Sequence, residues 1–335
     1  MAPANVPDRV LDLTAGVTMV VTDLHGDKDA FARYVGRFLQ MRSRKKVDRL
    51  LILGDLIHSD GDEDADASLS ILLDVIRMRA SLGADAVVML LGNHEMPHLY
   101  GVTLKRGDTE YTPRFEKALT ASGKRAEVIA FLKTLPFYVR TAAGIAFAHA
   151  GPDIEATIQF ERVRHLDHDA VLAEYSQVLA INQAPEKLRQ AYGEAMGMPY
   201  EMLARYYLAV EGKNDPRYDD LLRGFVIGQS SPDFQLLWDA LFTRAEKGVS
   251  MQLYERILAK FLARLSEGAP VPQRTLVSGH IRVKGGYEII TPQHFRLASA
   301  AHATPREAGQ FLLLDAAQPI ESVADLVGKL NSVFG

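Results

Sequence analysis

Three short apolar runs, Val17 to Thr22, Arg49 to Leu53 and Ala86 to Leu91, each break off at a polar cluster, and an amphipathic stretch separates each from the next. Their length and their β-branched and aliphatic content fit buried strands. Between the first two, Phe31, Tyr34, Val35, Phe38 and Leu39 recur at helical spacing; between the second and third, Leu69, Leu72, Leu73 and Ile76 do the same. Strands that alternate with helices in this way run parallel, because parallel neighbours need a crossover. The carboxyl ends of parallel strands lie along one edge, and ligands bind in the crevice outside it. Here that edge carries Asp23 and His25, Asp55, and Asn93 with His94.

A second group of strands follows. Phe137 to Arg140 and Ile145 to Ala148 flank Ala143-Gly144, and the latter run ends at His149. From about Leu166 to Leu265 the pattern is helical, with stripes such as Leu172, Tyr175 and Leu179, and Leu203, Tyr206, Tyr207 and Val210. Strands return at TLVSGH, which ends at His280, and continue through GYEII, FRLAS and FLLLD to a last helix expected over 322–334. The expected organisation is an α/β core in two parts, 15–160 and 271–335, interrupted by a helical insertion over 161–270. That insertion leaves just after His149 and returns just before His280, so it is expected to cover the crevice, with Arg162 and Arg164 as anion contacts. The acidic run 60–66 reads as a solvated turn ahead of a helix N-terminus. Arg42, Arg44, Lys45 and Lys46, and separately Lys105 and Arg106, read as surface loops, and Trp238 as a core residue of the insertion.

Composition narrows the chemistry. Of 335 residues, 47% are hydrophobic and 24% charged, as in an ordinary globular protein. Thirty-eight Lys and Arg against 42 Asp and Glu give a net charge of -4, which argues against a dedicated nucleic-acid binder. No apolar stretch is long enough to span a bilayer. Asp8, Arg9 and Asp12 break the opening residues, which therefore do not read as a signal peptide. Together these features read as a cytoplasmic enzyme. The absence of cysteine removes disulfides, thiolate metal sites and cysteine nucleophiles. Any metal must be held by His, Asp, Glu or Asn, and the strand ends supply that set in a number sufficient for two divalent ions.

In order along the chain the blocks read Asp23-Leu24-His25, Gly54-Asp55, Gly92-Asn93-His94-Glu95, Ala148-His149-Ala150-Gly151 and Gly279-His280. This series resembles the calcineurin-like metallophosphoesterases. Through DLHGD and Gly92-Asn93-His94-Glu95-Met96-Pro97-His98-Leu99-Tyr100-Gly101 the chain is similar to their phosphoprotein-phosphatase and Shewanella-like phosphatase branch, with His98 where Asn is usual. The resemblance implies a metallophosphoesterase core, a β-sandwich of mixed sheets flanked by helices, carrying the helical insertion. It implies that Asp23 and His25 bind a first metal, that Asp55 bridges, and that Asn93, His149 and His280 bind a second. His94 corresponds to the catalytic His that protonates or stabilises the leaving oxygen. Mixed carboxylate, imidazole and amide ligation suits Mn, Fe or Zn. The implied reaction is hydrolysis of a phosphomonoester by a metal-bound hydroxide, on a phosphorylated small molecule, a nucleotide or a phosphoprotein. A phosphodiesterase or nucleotide pyrophosphohydrolase on the same site is the alternative, and a non-catalytic binding scaffold a more distant one.

Departures from the family pattern mark further candidates. Where the phosphoprotein-phosphatase branch reads GDxVDRG, this chain reads Gly54-Asp55-Leu56-Ile57-His58-Ser59-Asp60-Gly61. His58 replaces the Asp that orients the catalytic His, and Ser59 replaces the Arg that clamps phosphate, whose bidentate fork a hydroxyl does not supply. Asp60 is a candidate to restore the orienting carboxylate, and His58 a candidate substrate contact. Where many members read GHxH, position 282 is Arg; in an extended segment it shares a face with His280, so Arg282 is a candidate clamp. Arg244 is another, because Leu236-Leu237-Trp238 is similar to the segment that precedes a phosphate-binding Arg in that branch. Glu95 is expected to support the ligands from behind.

Overall fold

The computed structural model describes residues 7–61, 63–182 and 185–334. Two sheets face each other. One has five strands in the order Leu330–Ser332, Gln310–Asp315, Val17–Val21, Arg49–Ile52, Val87–Met89. The other has six, in the order Val10–Leu13, Tyr138–Thr141, Ile145–Ala148, Thr275–Ser278, His294–Leu297, Tyr287–Thr291. Both are mixed. In the first, Val17–Val21, Arg49–Ile52 and Val87–Met89 are parallel, with Gln310–Asp315 added antiparallel. In the second, Ile145–Ala148, Thr275–Ser278 and His294–Leu297 are parallel.

The period-2 alternation of the strands builds the sandwich. Val20, Leu51, Val88 and Leu312 point inward to meet Val139, Phe147, Val277 and Phe295 of the other sheet. Their neighbours Met19, Val21, Leu50, Ile52, Val87 and Met89 point outward into a core closed by helices. Helix Lys28–Ser43 packs Phe31, Tyr34 and Phe38 there, and helix Ser68–Leu82 packs Ile71, Leu72 and Val75. Truncating Phe147 or Phe295 to Ala is expected to cost about 3–5 kcal/mol, because both are fully enclosed between the sheets.

Three regions differ from the sequence expectation. Val10–Leu13 is an edge strand, parallel to Tyr138–Thr141, too short to show as a run. Helices Tyr111–Ser122 and Arg125–Lys133 fill a stretch whose pattern does not announce them. The expected final helix is instead a 3₁₀ segment, Val323–Lys329, followed by strand Leu330–Ser332. Ser322 and Asp325 cap its start reciprocally, but the open edge of Gln310–Asp315 then recruits the chain as a strand. Between Ile154 and Ser266 the described residues form helices and no strand. No described helix is long and apolar enough to cross a membrane.

Candidate metal centre

The polar clusters sit where three parallel strands of each sheet end. Strand Val17–Val21 delivers Asp23 and His25, Arg49–Ile52 delivers Asp55, and Val87–Met89 delivers Asn93 and His94. Facing them, Ile145–Ala148 delivers His149 and Thr275–Ser278 delivers His280. His294–Leu297 delivers a residue the sequence reading did not single out, His302. Asp23, Asp55 and His149 are at most 1% exposed, and His280 and His302 are buried with them.

Backbone geometry turns these side chains inward. His25, Asp55 and His280 have positive φ, between 42° and 69°, and so does His58 behind them, at 71°. Left-handed backbone costs a non-glycine residue about 1–2 kcal/mol, so the surrounding bonds must hold it. They are present. The N–H groups of Leu24 and His25 donate to the Asp55 carbonyl at 2.9 and 3.0 Å, and that of Gly26 donates to Leu56 at 2.8 Å. Fully buried Glu95 accepts the N–H groups of Asp55 at 3.0 Å and Leu56 at 2.8 Å. Glu95 therefore supports the site through the backbone that presents Asp55, and burial pushes its carboxyl up to about 7. Gly92 is required here for space, since a Cβ would collide with Asp55 and Glu95.

The two sheets are tied together at the site. Thr22 N–H donates to Ser299 Oγ at 3.0 Å, and Ser299 N–H donates to Thr22 Oγ1 at 2.9 Å. This reciprocal pair places the segment carrying His302 beside Asp23, and His302 Nδ1 lies 3.0 Å from Asp23 Oδ1. Arg306 adds a fork onto Asp27 at 2.6 and 2.9 Å.

Ring tautomers follow from backbone partners. His25 Nδ1 donates to the Ile57 carbonyl at 3.0 Å and His149 Nδ1 to the Leu53 carbonyl at 2.8 Å. In each neutral ring Nε2 is then a lone pair turned into the cluster, the usual arrangement of a ligating imidazole. His25 Nε2 lies 3.2 Å from His302 Nε2, and His149 Nε2 lies 2.8 Å from Asn93 Oδ1 and 3.1 Å from His280 Nδ1. His280 Nε2 is buried with no hydrogen-bond partner among the described residues. Burial and neighbouring His302 bring His25 down to about 4, and burial also holds His94 and His280 well below the usual imidazole range. Burial, then the charges of Glu95 and Asp23, push Asp55 well above the ordinary carboxylate range. Burial alone would raise Asp23 too, but His302, His149 and His25 hold it well below that range.

Converging lone pairs, two buried carboxylates and an orphaned imidazole nitrogen are the donor set of a cation site. Three groups place one ligand atom from each member within 4.8 Å of the others: Asp23, His25 and His302; His25, Asp55 and His94; and Asp55, His149 and His280. These residues fit divalent metals of the kind that nitrogen and oxygen donors hold together.

The clusters open onto a cavity of about 250 Å³, lined by His25, Asp55, Asn93, His94, His280 and His302 on its floor. Lys105, Arg106 and Arg244 line its walls with Tyr111 and Phe242. Lys105 and Arg106 are exposed, as expected of a surface segment, and border the pocket from the hairpin Lys105–Arg106 and Thr109–Glu110. The Arg244 guanidinium has no hydrogen-bond or ion-pair partner among the described residues. Arg282 is held at the rim by Asp60, 2.6 Å from its Nη2. Asp60 also accepts from Tyr111 and makes no bond to His94. His58 lies behind His94, outside the pocket lining, with its Nδ1 3.1 Å from His94 Nδ1. Arg162 and Arg164 are spent on Asp233 at 2.6 Å and Asp8 at 2.7 Å, away from the pocket. Trp238 is half-buried and stacks on Phe242 at 3.9 Å. Of the long helical stretch, Phe242 and Arg244 contribute to the pocket wall.

His302 was not found by motif spacing, which points to position 282. The signal that identifies it is topological: it follows the third parallel strand of its sheet, as Asn93 follows the third parallel strand of the other.

No curated protein matches the chain. Among solved structures, a cold-active protein tyrosine phosphatase is 15% identical over 95% of this chain and 80% of its own, with a TM-score of 0.48. A Saccharomyces cerevisiae protein serine/threonine phosphatase is 14% identical over 92% and 76%, with a TM-score of 0.49. A metallophosphoesterase from Sphaerobacter thermophilus is 10% identical over 94% and 93%, with a TM-score of 0.32. These values are too low for any of the three to lend this chain an activity. The profile of the calcineurin-like phosphoesterases matches residues 17–205, more than half of the chain and the part that holds Asp23, His25, Asp55, Asn93, His94 and His149. The protein is a member of the calcineurin-like phosphoesterase family, a metal-dependent hydrolase of phosphate esters.

Proposed function

We propose that the protein hydrolyses a phosphomonoester at a dinuclear centre of Mn, Fe or Zn. The observation that carries this reading is the membership of Asp55 in two ligand groups, one toward His25 and one toward His149 and His280. Asp55 would then be the ligand shared by the two ions. Asp23, His25 and His302 would hold one ion; Asn93, His149 and His280 would hold the other. When bound, two divalent ions supply an acidified water and neutralise the phosphate oxygens. His94, at the edge of the same group, presents a ring nitrogen to the leaving oxygen and protonates it there. Arg244, unpaired on the pocket wall, takes the outer phosphate oxygens and supplies the clamp that Ser59 lacks. Lys105 and Arg106 draw the anion to the mouth. A clamp matters most for a dianionic terminal phosphate, which favours a monoester over a diester.

The test is metal add-back. Protein stripped with a chelator is reloaded with Mn, Fe or Zn and assayed on p-nitrophenyl phosphate and on bis(p-nitrophenyl) phosphate. Restored turnover of the monoester in preference to the diester is expected. Preference for the diester would replace this reading with the phosphodiesterase one, and no metal-dependent turnover of either would remove it.

A further inference from the structure

A chain of rings runs from His94 away from the pocket. His94 Nδ1 lies 3.1 Å from His58 Nδ1, His58 Nε2 lies 2.8 Å from His98 Nε2, and His98 Nδ1 lies 2.7 Å from Glu116 Oε1. His58, His98 and Glu116 are each about 2% exposed. Tyr111 stacks flat on His58 at 5.2 Å, and Phe115 packs against both His58 and His98. Five of the six ring nitrogens are therefore used within the chain. The sixth, His94 Nε2, is left to the pocket that His94 lines.

The far end decides the direction of every bond. Glu116 also accepts from Arg125 through Oε2, with Arg217 3.6 Å away. A carboxylate only accepts, so His98 Nδ1 donates to Glu116. Arg125 and Arg217 already balance the charge of Glu116, and Arg125 is shared with Asp220 at 3.8 Å. A further proton on His98 or His58 would be a buried charge without its own counterion. With both rings neutral, His98 Nε2 accepts from His58 Nε2–H, and His58 Nδ1 accepts from His94 Nδ1–H. His94 Nε2 is then a lone pair facing the pocket, the atom on which a transferable proton sits when His94 is cationic. Its Nδ1–H stays on His58 in either state, so no proton has to cross the chain.

We propose that Glu116, acting through His98 and His58, sets the tautomer and orientation of His94, and that Glu116 and His98 are positioning residues for the hydrolysis. The inference rests on the function proposed above. It assigns the orienting carboxylate, which the second block of the sequence lacks, to a helix that no motif marks, with two imidazoles spanning the distance.

The experiment is ¹⁵N-histidine NMR on the metal-free full chain, reading which nitrogen of each ring carries hydrogen, together with kinetics of the metal-loaded protein. In the unaltered chain the proton is expected on Nδ1 of His94, Nε2 of His58 and Nδ1 of His98. In Glu116→Gln the amide oxygen remains with Arg125 and the amide nitrogen faces His98, so all three assignments should reverse. Losing a tautomer-setting carboxylate costs up to ~10⁴-fold in kcat when it touches the catalytic ring. Through two spacer rings the expected loss is at least ~10-fold in kcat, with KM within ~2-fold and a larger loss for alkyl than for p-nitrophenyl esters. A His94 proton on Nε2 in the unaltered chain, or a doubly protonated His58 or His98, overturns the inference even if Glu116→Gln does not fold. Reversed tautomers with unchanged kcat overturn the positioning role. An unaltered chain with the expected tautomers but no metal-dependent hydrolysis overturns the underlying function instead.

Discussion

The two sheets contribute to the centre in the same way and look quite different in sequence. In the five-stranded sheet, the three contributing strands follow one another within residues 17–89, joined by crossover helices. Each ends in a compact motif. In the six-stranded sheet, the three parallel strands Ile145–Ala148, Thr275–Ser278 and His294–Leu297 are gathered from both sides of the helical stretch. Their ligand candidates are single histidines. The first half of the site is written contiguously and the second is assembled by topology. Spacing therefore finds Asp55 but misses His302, whereas the rule that parallel strands end at one crevice covers both.

Substitutions can break or sharpen this comparison. Asp55→Asn should have the largest effect, because an amide cannot replace the charge of a carboxylate between two cations. Near-total loss of hydrolysis and loss of metal by elemental analysis are expected; two metals retained at full activity would remove its bridging role. His94→Ala should keep its metal yet lose ~10²–10⁴-fold in kcat. Equal losses on alkyl and p-nitrophenyl esters would show that His94 does not protonate the leaving group. In the second sheet the informative pair is His302→Ala against Arg282→Ala. His302→Ala should weaken metal binding by at least the ~10–100-fold that loss of even an outer supporting group costs. Arg282→Ala, which removes a rim contact to Asp60, should leave metal titrations unchanged. If both bind metal as the unaltered protein does, the second sheet supplies fewer ligands than the first.

The smallest effect concerns stability. Burial alone would raise Glu116, but the hydrogen bond from His98 and the charges of Arg125 and Arg217 outweigh it and hold it below the ordinary range. A carboxylate depressed on folding contributes fully above its unfolded value of ~4.3 and loses that contribution as pH falls through its folded value. Acidification from ~4.3 down through the folded value should therefore lower the melting temperature of the unaltered chain more steeply than that of Glu116→Gln. Parallel slopes would show that the ring chain adds no stability through this carboxylate.

What could be read from sequence was what periodicity and strand order carry. The crevice and the convergence of Asp23, His25, Asp55, Asn93, His94, His149 and His280 follow from apolar runs and their endings, whereas the sandwich was implied by the family resemblance. Side-chain direction in loops does not. Left-handed backbone at His58 turns its ring behind His94 and away from the pocket. Asp60 is captured by Arg282 and Tyr111 before it can reach His94. Arg162 and Arg164 look equally cationic in sequence whether they face a substrate or, as here, Asp233 and Asp8. The helical stretch was expected to cover the crevice. Its stripes pack mainly on the outer face of the sandwich and on one another, and one corner at Phe242 and Arg244 reaches the pocket.

The reciprocal bonds between Thr22 and Ser299 also bear on how the centre tolerates change. Asp23 and Asp55 ride on one sheet, and His149, His280 and His302 on the other, so the site is the mouth of a vice whose jaws are the sheets themselves. Its gap is set by the thickness of the apolar filling, Phe147 and Phe295 among it, as much as by any loop. A conservative change of volume deep in that filling would alter the spacing of the jaws without touching a ligand. The tuning screw of this centre is then its hydrophobic interior, and drift in core packing becomes a route by which relatives with the same ligands acquire different metal preferences.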